Sequence, residues 1–228
     1  MRFTMKSAVQ PVPVCSQYRL RFPDPRSADR DGLLALGGDL SVPRLLLAYR
    51  SGIFPWTVDP ITWWSPDPRG IFELGQFHVP RSLARVLRRQ PFEITVDKAF
   101  REVMAGCAQP APGRRGTWIT PEFVEAYVAL HRQGHAHSVE CWQAGKLAGG
   151  VYGVACGGLF AGESMFHRVS DASKIALHHL VARLRERGFA LFDIQMVTPI
   201  TRQLGAVEIP RTEYLQRLTA AVQLQCAF

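Results

Sequence analysis

No stretch of this chain approaches the roughly 20 consecutive apolar residues needed to cross a bilayer. Its first residues, MRFTMKSAVQPVPV, lack the apolar run and cleavage site of a signal peptide. The five cysteines, Cys15, Cys107, Cys141, Cys156 and Cys226, are odd in number and contain no CxxC pair. That argues against a disulfide framework or a zinc knuckle and for a reducing, cytoplasmic setting. GxSxG, HExxH, GxxxxGK[ST] and GxGxxG are all missing, so hydrolase, zinc-peptidase, P-loop and dinucleotide readings lack support. HRQGHAH brings His131, His135 and His137 close in sequence, but Gly134 interrupts the helix between them. Neither a metal nor a cofactor is expected. Repeats and low-complexity segments are also absent.

What the chain does have is positive charge. Its 228 residues carry 27 Lys and Arg against 19 Asp and Glu, a net +8. Segment 81–115 concentrates it, with Arg81, Arg85, Arg88, Arg89, Lys98, Arg101, Arg114 and Arg115 against Glu93, Asp97 and Glu102. In the helix expected over 80–90, Arg81, Arg85 and Arg88 share one face, while Leu83, Val86 and Leu87 share the other. A basic stripe of this kind suits a polyanion, although a merely solvated surface has the same composition.

Local signals give the order of elements. Helices are expected over 42–51, ended by Gly52, and over 120–134, with Thr120 as cap, Pro121 in the first turn and Gly134 past the end. Between them, GIFPWTVDPITWWSPDPRG (52–70) is dense in proline and holds three tryptophans, which reads as an ordered aromatic loop. A strand is expected over 70–79, another over 92–96, and a helix from Asp97, its cap. After Gly134 come three extended runs, 136–142, 147–155 and 158–166, joined by hairpin-type turns. A helix over 171–187, a strand over 190–197, a further strand at GAVEIP and a last helix complete the chain. A meander followed by helix and strand resembles the acetyltransferase-like (GNAT) fold. In acyl-CoA users a glycine-rich turn before the central helix cradles pyrophosphate. Here that junction, MFHRVSDASK, has no glycine, so another activated acyl group is the expected donor.

Glu163 interrupts a run that otherwise reads as a buried strand, FAGESMF. Burying a lone carboxylate costs several kcal/mol (an order of magnitude), so the residue either meets solvent or faces something cationic. In LFDIQM, alternation places Asp193 and Gln195 on one face and Phe192 and Ile194 on the other. That face could simply be solvated. With Glu163 on a second strand, the three could instead converge. Trp56 and Trp118 stand in loops, where an aromatic can stack on an unpaired base.

Ten motifs, GLLALGGDLS (32–41), GIFPW (52–56), WWSPDPR (63–69), GTWIT (116–120), GHAHSVE (134–140), GGVYGVA (149–155), GESMF (162–166), ASK (172–174), LFDIQ (191–195) and LGAVEIPR (204–211), run in one order. Together they resemble the leucyl/phenylalanyl-tRNA–protein transferase family over about residues 22–220. The resemblance implies an α+β chain: an extension (1–20), a small N-terminal domain (21–80), and a GNAT-like domain (81–228) with a mixed, mostly antiparallel sheet and the basic helix 81–90. It implies an aminoacyltransferase of the N-degron pathway, monomeric and cytoplasmic. Such an enzyme moves Leu or Phe, and Met less well, from aminoacyl-tRNA to proteins beginning with Lys or Arg, marking them for degradation.

Residue by residue, the resemblance makes Asp193, Gln195 and Glu163 catalytic. Asp193 would polarise Gln195, both would hold the attacking amine, and Glu163 would meet the cationic acceptor. Val151, Phe160, Leu177, Leu180, Leu184 and Phe192 would wall the donor side chain. Some relatives carry Met at 151 and aromatics at 180 and 184, so the slot here is expected to be wider and to favour Phe over Leu. Trp56 and Trp118 would meet the terminal adenosine of the tRNA, and Arg81, Arg85, Arg88 and Arg89 its backbone. A small-molecule N-acetyltransferase and a non-catalytic RNA-binding protein are the rival readings. The glycine-free turn speaks against the first, and the Glu163/Asp193/Gln195 cluster against the second.

Overall fold

The structure, a computed structural model, describes residues 12–16, 19–110 and 117–228. Of the expected extension 1–20, most lies outside the described residues. Within it a short strand, β1 (Val14–Cys15), runs parallel to β2 (Leu33–Gly37). Helix α1 (Val42–Arg50) follows, then β3 (Phe54–Val58) and β4 (Ile61–Trp64), giving a four-stranded sheet in the order β1-β2-β4-β3. The loop expected over 52–70 is thus largely a hairpin. Its prolines fit because Pro55 lies on β3, an edge strand, Pro60 lies in the turn, and Pro66 and Pro68 follow β4. Trp63 is fully buried, its Nε1 donating to the Gly37 carbonyl at 2.8 Å.

The second sheet begins before residue 80. Strand β5 (Arg69–Phe72) belongs to it, and the strand expected to reach residue 79 ends at Phe72, giving way to a 3-10 turn at Leu74–Gln76. Then come α2 (Arg81–Arg89), β6 (Glu93–Val96), α3 (Phe100–Ala108) and α4 (Pro121–Arg132). Asp97 does not cap α3. It sits at φ 58°, and its carboxylate accepts from the Ser138 amide at 2.8 Å and lies 2.7 Å from His137 Nδ1. The chain continues through β7 (Ala136–Gln143), β8 (Lys146–Cys156), β9 (Leu159–His167), α5 (Ala172–Glu186), β10 (Leu191–Gln195), α6 (Pro199–Gln203), β11 (Ala206–Ile209) and α7 (Arg211–Ala221). The sheet order is β11-β5-β10-β9-β8-β7-β6.

Strands β6 to β9 form the antiparallel meander, and β10 returns parallel to β9 after α5. This is the GNAT-like order, in a mixed α+β architecture. Period-two alternation fills both faces of the sheet. Tyr152, Val154 and Ala161 join the core under α1, α3 and α4, while Val151, Phe160 and Phe192 join the one under α5 and α2. A sheet covered on both sides explains why β8 reads as almost continuously apolar.

Candidate active site

The parallel pairing of β9 and β10 runs from Leu159 with Leu191 to Ala161 with Asp193 and then stops. Beyond it β9 continues to His167 and β10 to Gln195. Gly162, Glu163 and Ser164 on one strand, and Ile194 and Gln195 on the other, line the opening between them. The register of β10 against β5 shifts between Asp193 and Gln195, and Gln195 has φ 58°, a left-handed conformation uncommon for a residue with a Cβ. The expected alternation therefore breaks here, and Asp193 and Gln195 do not present one common face.

Asp193 is 1% exposed and lines neither cavity of the site. Arg69, from the WWSPDPR stretch, is equally buried and holds it in a two-pronged ion pair, Nε to Oδ1 at 2.9 Å and Nη2 to Oδ2 at 2.7 Å. The Tyr214 hydroxyl donates to Oδ2 at 2.9 Å, and Arg69 Nη1 donates to the Gly52 carbonyl at 3.1 Å. Burial pulls the Arg69 pKa down, but the Asp193 carboxylate more than offsets it and holds the guanidinium above its ordinary value. Asp193 does not contact the side-chain amide of Gln195, as had been expected. It accepts from the Gln195 backbone N–H at 2.9 Å and so fixes the left-handed turn. Asp193 thus acts on Gln195 through the backbone and not through the side-chain amide.

The Gln195 side chain belongs to Glu163: its Nε2 donates to Oε1 at 3.0 Å. The other carboxylate oxygen accepts from the Tyr127 hydroxyl at 3.2 Å, and that hydroxyl is in close hydrogen bond with the hydroxyl of Tyr49. Glu163 keeps part of its surface at the opening while its carboxylate sits in a desolvated corner. Burial pushes its pKa up to about 8; the nearby Asp193 charge adds to this, and hydrogen bonds from Tyr49 and Tyr127 and the Arg69 charge work against it. Burial also raises both tyrosine hydroxyls well above their usual range, so they stay neutral donors.

Two cavities meet at this carboxylate. The larger, about 620 Å³, is mainly apolar and lined by Phe72, Val151, Met165, Leu177, Phe192 and Ile194, with Glu163 and Gln195 at one side. The smaller, about 190 Å³, is lined by Phe54, Trp56, Trp118, Glu163, Gln195 and Met196. Of the six walls expected for an apolar slot, Val151, Leu177 and Phe192 line it. Phe160, Leu180 and Leu184 do not: each is at most 1% exposed in the core behind it. Side-chain size at 180 and 184 thus acts on the cavity only through packing. Trp56 and Trp118, far apart in sequence, come together. Trp56 rests edge-on against Trp64 at 5.1 Å and Trp118 against Phe123 at 5.2 Å.

Arg81, Arg85, Arg88 and Arg89 stand exposed on α2, and among the described residues none has an acidic partner. Leu83 is buried and Val86 and Leu87 half-buried beneath them. Arg114 and Arg115, within residues 111–116, lie outside the described residues. His131 Nδ1 is 2.8 Å from the Ala136 carbonyl and His137 Nδ1 is engaged with Asp97, so these rings are committed to local bonds. Cys107 is buried in the core under α3. Sequence reasoning missed Arg69, Tyr49, Tyr127 and Tyr214. The tyrosines sit on helices, where they read as ordinary core aromatics. Only the presence of Arg69 in a dense motif hinted at a role.

Comparison with known proteins bears on the same residues. Residues 71–219 match the family profile described as leucyl/phenylalanyl-tRNA protein transferase, and residues 38–67 match the profile for its N-terminal domain. Among curated proteins, the leucyl/phenylalanyl-tRNA–protein transferase of Shewanella sp. (strain W3-18-1) is 52% identical over 202 residues, covering 87% of this chain and 86% of that one. The corresponding protein of Nitratidesulfovibrio vulgaris (strain DP4) is 53% identical over 205 residues, 89% and 88% of the two chains. Among solved structures, a GCN5-related N-acetyltransferase from Kribbella flavida aligns with a TM-score of 0.40 at 14% identity, over 70% of this chain and 58% of that one. So distant a likeness decides nothing about the chemistry. The family profile and the identity over nearly the full length do decide the family: the chain belongs to the leucyl/phenylalanyl-tRNA–protein transferases, enzymes of the aminoacyltransferase class.

Proposed function

We propose that this protein transfers Leu or Phe, and Met less well, from aminoacyl-tRNA to the N-terminal Lys or Arg of acceptor proteins, tagging them for degradation. The observation that carries this reading is the meeting of an apolar cavity and a tryptophan-lined one at Glu163 and Gln195. The donor side chain enters the first and the terminal adenosine stacks in the second, which brings the ester between them beside the carboxylate. One methylene of fit in such a slot is worth about 1–3 kcal/mol, so leakage between Phe, Leu and Met is expected. The protein acts as a cytoplasmic monomer. Among the described residues no helix is long and apolar enough to cross a membrane.

The reaction is aminolysis. The α-amine attacks the ester carbonyl, a C–N bond forms, and the C–O bond to the ribose breaks. The amine loses a proton and the ribose oxygen gains one. An α-ammonium has a pKa of about 8, and a carboxylate raised to about 8 is matched to accept its proton and return it to the leaving oxygen. Gln195, anchored to Glu163, orients the amine. With Phe-tRNA and a peptide beginning with Lys or Arg, the expected product is the peptide extended by one Phe, read by mass spectrometry. Tight tRNA binding without extension would refute the proposal.

Two further outcomes follow. Arg85→Ala weakens all donor tRNAs about equally and lowers the slope of affinity against salt, because phosphate contacts carry no base readout. An effect confined to one tRNA species in filter binding would contradict this. Tyr127→Phe removes a hydrogen bond that lowers the Glu163 pKa. Glu163 must be ionised to accept a proton, so the acidic limb of kcat/KM against pH moves upward. A limb that stays in place would assign it to the substrate amine instead, since that group titrates independently of the enzyme variant.

A further inference from the structure

Five aromatic rings form a row across the α5 face of the large sheet. Phe72 and Phe192, both lining the larger cavity, are 5.4 Å apart between centroids. Phe160 stands edge-on to Phe192 at 5.8 Å, Phe228 stacks on Phe160 at 5.3 Å, and His137 stacks on Phe228 at 4.3 Å. Phe160 itself is fully buried and does not reach the cavity. Its ring packs against Gly153, where a Cβ would come within 2.5 Å of it. Phe160 thus packs on bare backbone at Gly153 and among the rings of Phe192, Phe228 and Phe189.

Phe228 is half-buried and has several partners. The Arg183 guanidinium lies 5.0 Å over its ring, Phe189 meets it edge-on at 6.3 Å, and Cys226 Sγ donates to the Gly188 carbonyl at 3.3 Å. This ties residues 226–228 to the turn between α5 and β10. None of these residues touches the cavity, so the arrangement has no part in the chemistry described above.

We propose that Phe228 sets the depth of the donor slot from two rings away, by pinning Phe160 against the slot wall Phe192. This rests on the larger cavity being the donor slot. Protein interiors are close-packed, and a deleted ring is refilled only partly by its neighbours. Phe160 is the neighbour free to move, because glycine offers no Cβ to stop its ring sliding over Gly153. Phe192 then loses its edge-on support and swings away from the cavity. Phe228 is a positioning residue for selectivity, and the slot accepts longer rings without it.

The test is Phe228→Ala, with Phe228→Leu as the milder variant, assayed with tRNA carrying phenylalanine and tRNA carrying the bulkier 2-naphthylalanine. The ratio of kcat/KM for naphthylalanine over phenylalanine is expected to rise by about tenfold in Phe228→Ala and by less in Phe228→Leu. Phe160→Leu gives the same rise, and the double variant adds little to it, since both act through Phe192. Methyl resonances of Val151 and Leu177, on the other walls, shift in Phe228→Ala. Unmoved resonances with an unchanged ratio would overturn the proposal, whatever the change in thermal midpoint. Moved resonances with an unchanged ratio would refute the donor assignment and the proposal with it.

Discussion

Glu163→Gln is expected to lower kcat/KM by about 10²–10⁴, the range a positioned proton acceptor supplies. The substitution keeps the shape of the side chain and its hydrogen bond from Tyr127, while removing the carboxylate that, among the described residues, lines both cavities. Affinity for aminoacyl-tRNA should change little, because Trp56, Trp118 and the arginines of α2, proposed to hold the tRNA, are untouched. Measuring turnover and tRNA binding together separates the roles. Equal losses in both would make Glu163 a binding group. A second readout comes from stability. The folded-state pKa of Glu163 lies above the unfolded value, so its ionised form is a cost to folding that grows as pH rises from the ordinary carboxylate range to about 8. Glu163→Gln has no such dependence. The difference in thermal midpoint between variant and wild type should therefore move in the variant's favour over that interval. A constant difference would mean the carboxylate is not desolvated.

Arg69→Met should have the largest effect on stability, about 3–5 kcal/mol. It leaves the Asp193 carboxylate, 1% exposed, without its cation. For a chain of this size the thermal midpoint should fall by on the order of 10 °C. Pairing it with Asp193→Asn should recover part of the loss, because the uncompensated charge is then gone. A double variant less stable than Arg69→Met alone would refute the account. Turnover should also fall in Arg69→Met even where the protein remains folded. Gln195 keeps its left-handed conformation through the bond from its N–H to Asp193, and a displaced Asp193 frees it. Loss of turnover with intact tRNA binding is the expected signature of this positioning role.

Much of the architecture was legible in the sequence because local rules decide it. Gly134 ends α4 in a left-handed conformation, with His135 N–H returning to the Leu130 carbonyl. Three extended runs joined by hairpin-type turns over 136–166 predict the meander, and the apolar face of 80–90 predicts which side of α2 is buried. Glu163 was legible as an oddity, since a carboxylate in a buried strand needs a reason. The hairpin over 52–70 was not, because an edge strand tolerates proline and sequence does not reveal edges. Nor was the break in alternation at Gln195. A bulge is a relation between two strands, and β5 lies over 120 residues from β10 in sequence.

From residues and motifs alone came the family resemblance, the absence of a pyrophosphate-binding turn, the basic face of α2 and the suspicion attached to Glu163, Asp193 and Gln195. Tertiary structure alone decided their division of labour: Asp193 sealed against Arg69, Glu163 open to both cavities, and three of the six expected slot residues set behind the wall. The reason is physical. Periodicity and composition act between near neighbours, whereas burial and ion pairing depend on which distant segments the fold brings together. Arg69 and Asp193 are 124 positions apart and 2.7 Å apart in space.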